Sequence, residues 1–101
     1  MRVVLHPEAT AELTAAGDWY DDKRPGLGAD LLAEVSRGLD AISEAPLAWP
    51  AWPGVAVTMT VRRFLLPRFP FGIAYIVEDD RIVVLAVAHV RRRPGYWLRR
   101  S

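Results

Sequence analysis

The spacing of apolar and polar positions changes character midway along the chain. In the first part apolar residues return at helical intervals. Ala9, Leu13, Ala16 and Tyr20 recur at steps of four, three and four, which places them on one stripe of a helix facing a core, with Glu12, Asp18 and Asp21 pointing elsewhere. Arg2 to Leu5 reads as a short strand before it. His6-Pro7-Glu8 reads as the helix start, with proline at the first helical position and an acid in the first turn. Lys23-Arg24-Pro25-Gly26 ends this helix. From Leu27 or Gly28 a second amphipathic helix carries Leu31, Leu32, Val35, Leu39 and Ile42 on one face and stops near Ala45-Pro46. The two form a helical hairpin, with Trp19, Tyr20, Leu31, Val35 and Leu39 expected in the core.

Between Pro46 and Gly54 three prolines and two tryptophans exclude both helix and strand, so this is a connecting loop. Trp49 and Trp52 are expected to fold back over the domain as a lid, because a large indole gains most by burying its ring. Beyond the loop the period falls to two. Val55 to Met59, Val61 to Leu66, Phe71 to Val77 and Ile82 to Ala88 are rich in β-branched and aromatic residues and read as strands. The polar turn Glu78 to Arg81 joins the last two as an antiparallel hairpin. Phe71, Ile73, Tyr75 and Val77 alternate onto one face of their strand, and Gly72, Ala74 and Ile76 onto the other. Such a strand needs cover on both sides. The helical hairpin supplies one layer, and the C-terminal segment or another chain must supply the second. The expected fold class is α+β: an N-terminal strand and a helical hairpin packed on a four-stranded, mainly antiparallel sheet.

At 101 residues the chain fits one domain spanning residues 1–101, and 51% hydrophobic with 25% charged residues is a globular rather than a disordered balance. With no cysteine there is neither a disulfide framework nor a thiolate metal site. No segment approaches the ~20 apolar residues that span a bilayer, and no apolar leader follows Met1, so a cytoplasmic, membrane-free protein is expected. The net charge of +1 conceals a division. Residues 1–44 hold four basic residues against nine acids, whereas residues 45–101 hold nine arginines against three acids. Arg91, Arg92, Arg93, Arg99 and Arg100 crowd the last eleven positions and create a positive field suited to an anionic partner.

Several short segments in order carry a family resemblance: His6-Pro7-Glu8-Ala9 opening a helix, Trp19-Tyr20, Arg24-Pro25-Gly26-Leu27-Gly28, Arg62-Arg63-Phe64-Leu65-Leu66, Arg68-Phe69-Pro70-Phe71-Gly72-Ile73-Ala74-Tyr75, Val84 to His89, and Arg91-Arg92-Arg93-Pro94-Gly95-Tyr96-Trp97. No one of them is diagnostic. Together they resemble the RelE/ParE superfamily of type II toxins, in its ParE-like plasmid-stabilisation branch. The resemblance implies a growth-inhibiting toxin neutralised by a cognate antitoxin, with operator DNA bound only as the toxin-antitoxin complex. It leaves two targets open. ParE-type members inhibit DNA gyrase, whereas RelE-type members are endoribonucleases that cut mRNA on the ribosome.

RNA cleavage through a ribose 2′-hydroxyl needs a base, a cation beside the phosphate and an acid for the leaving oxygen. The candidates are His89 as base, Arg63 with Arg91 or Arg93 as phosphate clamps, and Tyr96 as acid. The match to RelE-type nucleases is incomplete. Their central-strand lysines are missing, since Lys23 is the chain's single lysine and lies in the helical hairpin, and their strand arginine falls on Gly72. His89, at the end of an apolar strand, therefore reads first as a hydrogen-bonded packing residue. A non-hydrolytic ParE-like inhibitor is the preferred reading, with the nuclease and a basic nucleic-acid-binding module as alternatives. Partner-binding residues are expected at Arg62, Arg68, Phe69, Phe71, Arg92 and Trp97, and substitution of Glu12 or Asp18 is expected to be silent. His6 and His89 lie at opposite ends without acids at ligand spacing, so no metal is expected, and the absence of a phosphate-cradling glycine loop argues against the usual cofactors.

Overall fold

A computed structural model describes residues 1–55 and 59–100. Strand β1 (Arg2–Leu5) leads into helices α1 (Pro7–Lys23) and α2 (Leu27–Glu44), followed by strands β2 (Arg62–Leu65), β3 (Phe71–Glu78) and β4 (Arg81–His89) and a short 3₁₀ turn at Leu98–Arg100. The sheet order is β1-β4-β3-β2. Both β2·β3 and β3·β4 are antiparallel, and β1 joins parallel to β4, with Leu5 opposite Val84. The expected strand Val55 to Met59 falls mainly on residues 56–58, outside the described residues.

Local chemistry sets the helix boundaries. The His6 imidazole accepts a bond from the Glu8 N–H through Nδ1 at 3.1 Å, and Pro7 follows at the first helical position. Gly26, at φ 91°, turns the chain into α2. The Asp21 carboxylate then accepts from the Gly28 N–H at 2.8 Å, so this acid caps α2 instead of pointing away as its spacing suggests. A Cβ on Gly28 would stand 2.5 Å from the Gly17 carbonyl oxygen, which is how the two helices approach so closely.

Ala9, Leu31, Val35 and Ile42 meet Ile73, Tyr75, Val84 and Val87 in the core between hairpin and sheet. One expected core residue, Trp19, is not there: it is 55% exposed, and Leu32, expected on the apolar face of α2, is 49% exposed, because α1 and α2 turn these positions outward while Ala16, Tyr20, Leu31 and Val35 face the sheet. In β4, Leu85 is an extra residue at a bulge: Ala74 pairs with Ala86 and Tyr75 with Val84. Leu85 and Ala86 thus share the second face, and strict alternation fails there. That face is closed by the chain itself. Trp52 and Trp97 pack at 4.5 Å between ring centroids over Ala74, Ile76 and Ala88. A Cβ on Gly72 would come within 2.8 Å of the Trp52 ring, so the glycine is what lets the indole lie on the sheet. Trp49 is half-buried, edge-on to Phe64 at 4.7 Å.

Glu34, on the buried side of α2, anchors the turn after β2. Its carboxylate accepts from the Arg68 backbone N–H at 2.8 Å and from Arg68 Nε at 2.9 Å. Burial works to raise its pKa, but the bonds and charge of Arg68 outweigh that and hold it below the ordinary value. A depressed folded pKa means the stabilisation is complete above roughly pH 4.3, the ordinary glutamate value, and is lost as pH falls through the folded value. Glu34→Ala is expected to destabilise the fold by about 1–3 kcal/mol at pH 7 in urea unfolding. The gap from wild type should narrow under acid, and a gap independent of pH would contradict this role.

Candidate functional site

β4 runs past the end of β1. After the His6 N–H donates to the Val84 carbonyl, no strand among the described residues lies along the outer edge of Leu85–His89, and side chains bond its backbone instead. Glu12, from α1, accepts from the Val87 N–H at 3.2 Å, and Arg100 donates through Nη1 to the Leu85 carbonyl at 3.0 Å. The two side chains also bond each other, with Arg100 Nη1 at 2.9 Å from Glu12 Oε1. The Tyr96 hydroxyl donates to Glu12 Oε2 at 2.5 Å, and Arg92 reaches the same oxygen at 3.7 Å while its guanidinium lies 3.7 Å from the Tyr96 ring centroid. Glu12 is therefore a hub and not a solvated surface acid, the reverse of the expectation from its spacing. Its partners lie 75 to 88 residues away in sequence, and the one sign of them was the excess of cations at the chain's end.

Burial raises the pKa of Tyr96, and the bond to and charge of Glu12 add to this against the smaller opposing effects of Arg92 and Arg100. Burial works to lower that of Arg100, but its contacts with Glu12, Glu8 and Tyr96 hold it above the ordinary value. The phenol keeps its proton throughout the physiological range, and that proton is directed at Glu12.

The sequence-selected residues divide into groups. His89, Arg92 and Tyr96 line one groove of about 280 Å³ with Glu12, Ala15, Ala16, Phe71 and Val87. His89 accepts from the Arg91 N–H through Nδ1 at 3.1 Å and stands edge-on to Phe71 at 5.2 Å. Arg91 and Arg93 are exposed in the turn after β4 and form no ion pair among the described residues. Arg63 lies elsewhere. It pairs in register with Ala74, on the second face, and sits 5.6 Å from the Trp52 ring, with its buried Nε finding no hydrogen-bond partner among the described residues. Arg62 donates to the Trp49 carbonyl at 2.7 Å, and Arg68 is engaged with Glu34. Phe69 is buried edge-on against Tyr20 at 5.0 Å. Trp97 is 0% exposed, so it closes the second face and offers a partner no surface. Among the described residues no group of three or more His, Cys, Asp or Glu could hold a metal ion, and no helix is long and apolar enough to cross a membrane.

A helical hairpin on a four-stranded sheet, with a basic turn following the last strand, defines the class: a small α+β protein. The fold is similar to that of a solved protein described as "Chromosomal ParDE TA system from P. aeruginosa", with a TM-score of 0.75 and 21% identity over 88% of this chain and 95% of that one. No curated protein matches the chain. The model of the ParE toxin of type II toxin-antitoxin systems, parDE, matches residues 3–94, and the chain belongs to that family. It is the toxin component of such a module, and membership implies an antitoxin partner.

If Glu12 governs the Tyr96 phenol, Glu12→Gln should bring one of the three tyrosines down toward the ordinary range near 10 in an absorbance titration of tyrosinate. It should also destabilise the fold by about 1–3 kcal/mol, since Arg100 keeps Glu8 but loses the nearer of its two carboxylates. An unaltered titration with unaltered stability would contradict the hub.

Proposed function

We propose that this chain arrests bacterial growth in the cytoplasm by binding its target rather than cleaving it, with DNA gyrase as the target, and that the antitoxin neutralises it by occluding the basic turn at Arg91–Arg93. One observation carries the non-hydrolytic reading. Gly72 occupies the position where RelE-type nucleases are expected to carry a strand arginine, and Trp52 lies directly over it, so no cation can be offered from that strand. Two further facts point the same way. Arg63 is on the opposite face of the sheet from His89, and the Tyr96 proton is committed to Glu12. A base, a clamp and an acid converging within hydrogen-bond reach of one phosphate is what cleavage would require.

The test sets purified toxin beside two reactions. The expected result is loss of gyrase supercoiling without ribosome-dependent cleavage of mRNA. Cleaved mRNA with intact supercoiling would reverse the order and restore the nuclease. Expression alone should stop growth, and co-expression of the small protein encoded beside it should restore it.

A further inference from the structure

The chain has two histidines, and each accepts a hydrogen bond through Nδ1 from the backbone N–H two residues further on. His6 accepts from Glu8 and His89 from Arg91, both at 3.1 Å. Asn and Asp side chains make this same local bond when they open a turn. An imidazole can make it in one state alone. Nδ1 must keep its lone pair, so the ring is neutral with its proton on Nε2, because a protonated imidazole offers two donors and no acceptor.

At His89 the bond falls where the basic turn begins. The backbone carbonyl of the same residue accepts from the Arg92 N–H at 3.0 Å, and the Val90 N–H donates to the Pro70 carbonyl at 2.9 Å. His89 thus closes the first turn after β4 twice, once with its backbone and once with its side chain. That turn sorts the arginines. Arg92 is drawn back over the Tyr96 ring at 3.7 Å, and Arg91 and Arg93 stay exposed. Around the imidazole, α1 supplies Glu12 and Tyr20 beside Ala16 and Trp19, β3 supplies Phe71, and the segment after β4 supplies Arg92 and Tyr96. The carboxylate of this set, Glu12, is already engaged by Arg100 and Tyr96. A proton gained by the ring therefore removes an acceptor from the turn and adds a cation next to its three arginines.

We infer that His89 is a positioning residue: its neutral imidazole closes the turn and holds Arg91 and Arg93 outward as the pair that engages the target, and protonation of the ring opens the turn. This rests on the reading of the basic turn as the toxin's working surface. It also separates two properties of the side chain, the Nδ1 acceptor and the ring that stands edge-on to Phe71 at 5.2 Å.

Two substitutions test the separation. His89→Asn carries Oδ1 at the same point of the side chain as Nδ1 and loses the ring, whereas His89→Phe keeps a ring against Phe71 and loses the acceptor. In supercoiling by purified gyrase, His89→Asn should inhibit within about twofold of the wild type. His89→Phe should be about three- to tenfold weaker, the net contribution of one hydrogen bond. Hydrogen exchange of the Arg91 amide in the folded toxin at neutral pH should quicken by a similar factor in His89→Phe and stay slow in His89→Asn. On acidification from about pH 8 to about pH 5.5, the span in which an imidazole changes charge, the wild type should lose potency relative to His89→Asn, a ratio that cancels the target's own response to pH. A potent His89→Phe beside a weakened His89→Asn would give the ring a packing role and overturn the inference. So would an Arg91 amide that exchanges alike in all three proteins, or a potency ratio that stays flat across the pH range. If the wild type leaves supercoiling intact, the gyrase reading falls, and exchange of the Arg91 amide still decides whether His89 holds the turn.

Discussion

The carboxylate of Glu12 caps the edge of β4 beyond the reach of β1. β1 is four residues long and β4 nine, so β4 extends beyond its neighbour with backbone groups that would otherwise be left to solvent or to another chain. Glu12 takes the Val87 amide and Arg100 takes the Leu85 carbonyl. Because the two side chains also bond each other, edge closure, helix docking and attachment of the C-terminal segment become one arrangement. The Leu85 bulge belongs to it as well, since it falls in the stretch that these side chains cover.

The same clasp places the second tryptophan. Tyr96 is fixed by Glu12, and its neighbour Trp97 then turns onto the opposite face of the sheet to meet Trp52. Both residues pack on the second core, and Tyr96 also reaches past the edge of β4 to Glu12 and the groove beside α1. The cations divide accordingly. Arg100 is consumed by structure and Arg92 by stacking on Tyr96, which leaves Arg91 and Arg93 exposed on the turn. A basic run that reads as five equivalent arginines is in fact graded from buried strut to open charge.

This grading marks how far the sequence could be read. Helix limits followed from local signals: Pro7 at the first helical turn, Pro25-Gly26 between the helices, and the return of Leu31, Val35 and Ile42 at helical steps. The β3–β4 hairpin followed from its polar turn, and the need to cover both faces of β3 followed from its two-sided apolar pattern. The misjudged residues were those whose partners are remote. Glu12 looks like a solvated acid until tertiary contacts supply Arg100, and the Glu34–Arg68 pair gives no local sign in the sequence. Trp19 and Leu32 fall within a degree of rotation that periodicity does not resolve, and Gly72 shows its purpose once Trp52 is seen above it.

The central claim is that Glu12 and Arg100 act together as the clasp between α1 and the C-terminal segment. It is tested most directly by a double-mutant cycle in urea unfolding with Glu12→Ala, Arg100→Ala and the combined variant. Coupled residues of one network are expected to show an interaction energy of about 1–3 kcal/mol, the double variant losing much less than the sum of the singles. Losses that add to within about 0.5 kcal/mol would contradict the account, because the two residues would then be stabilising the fold independently.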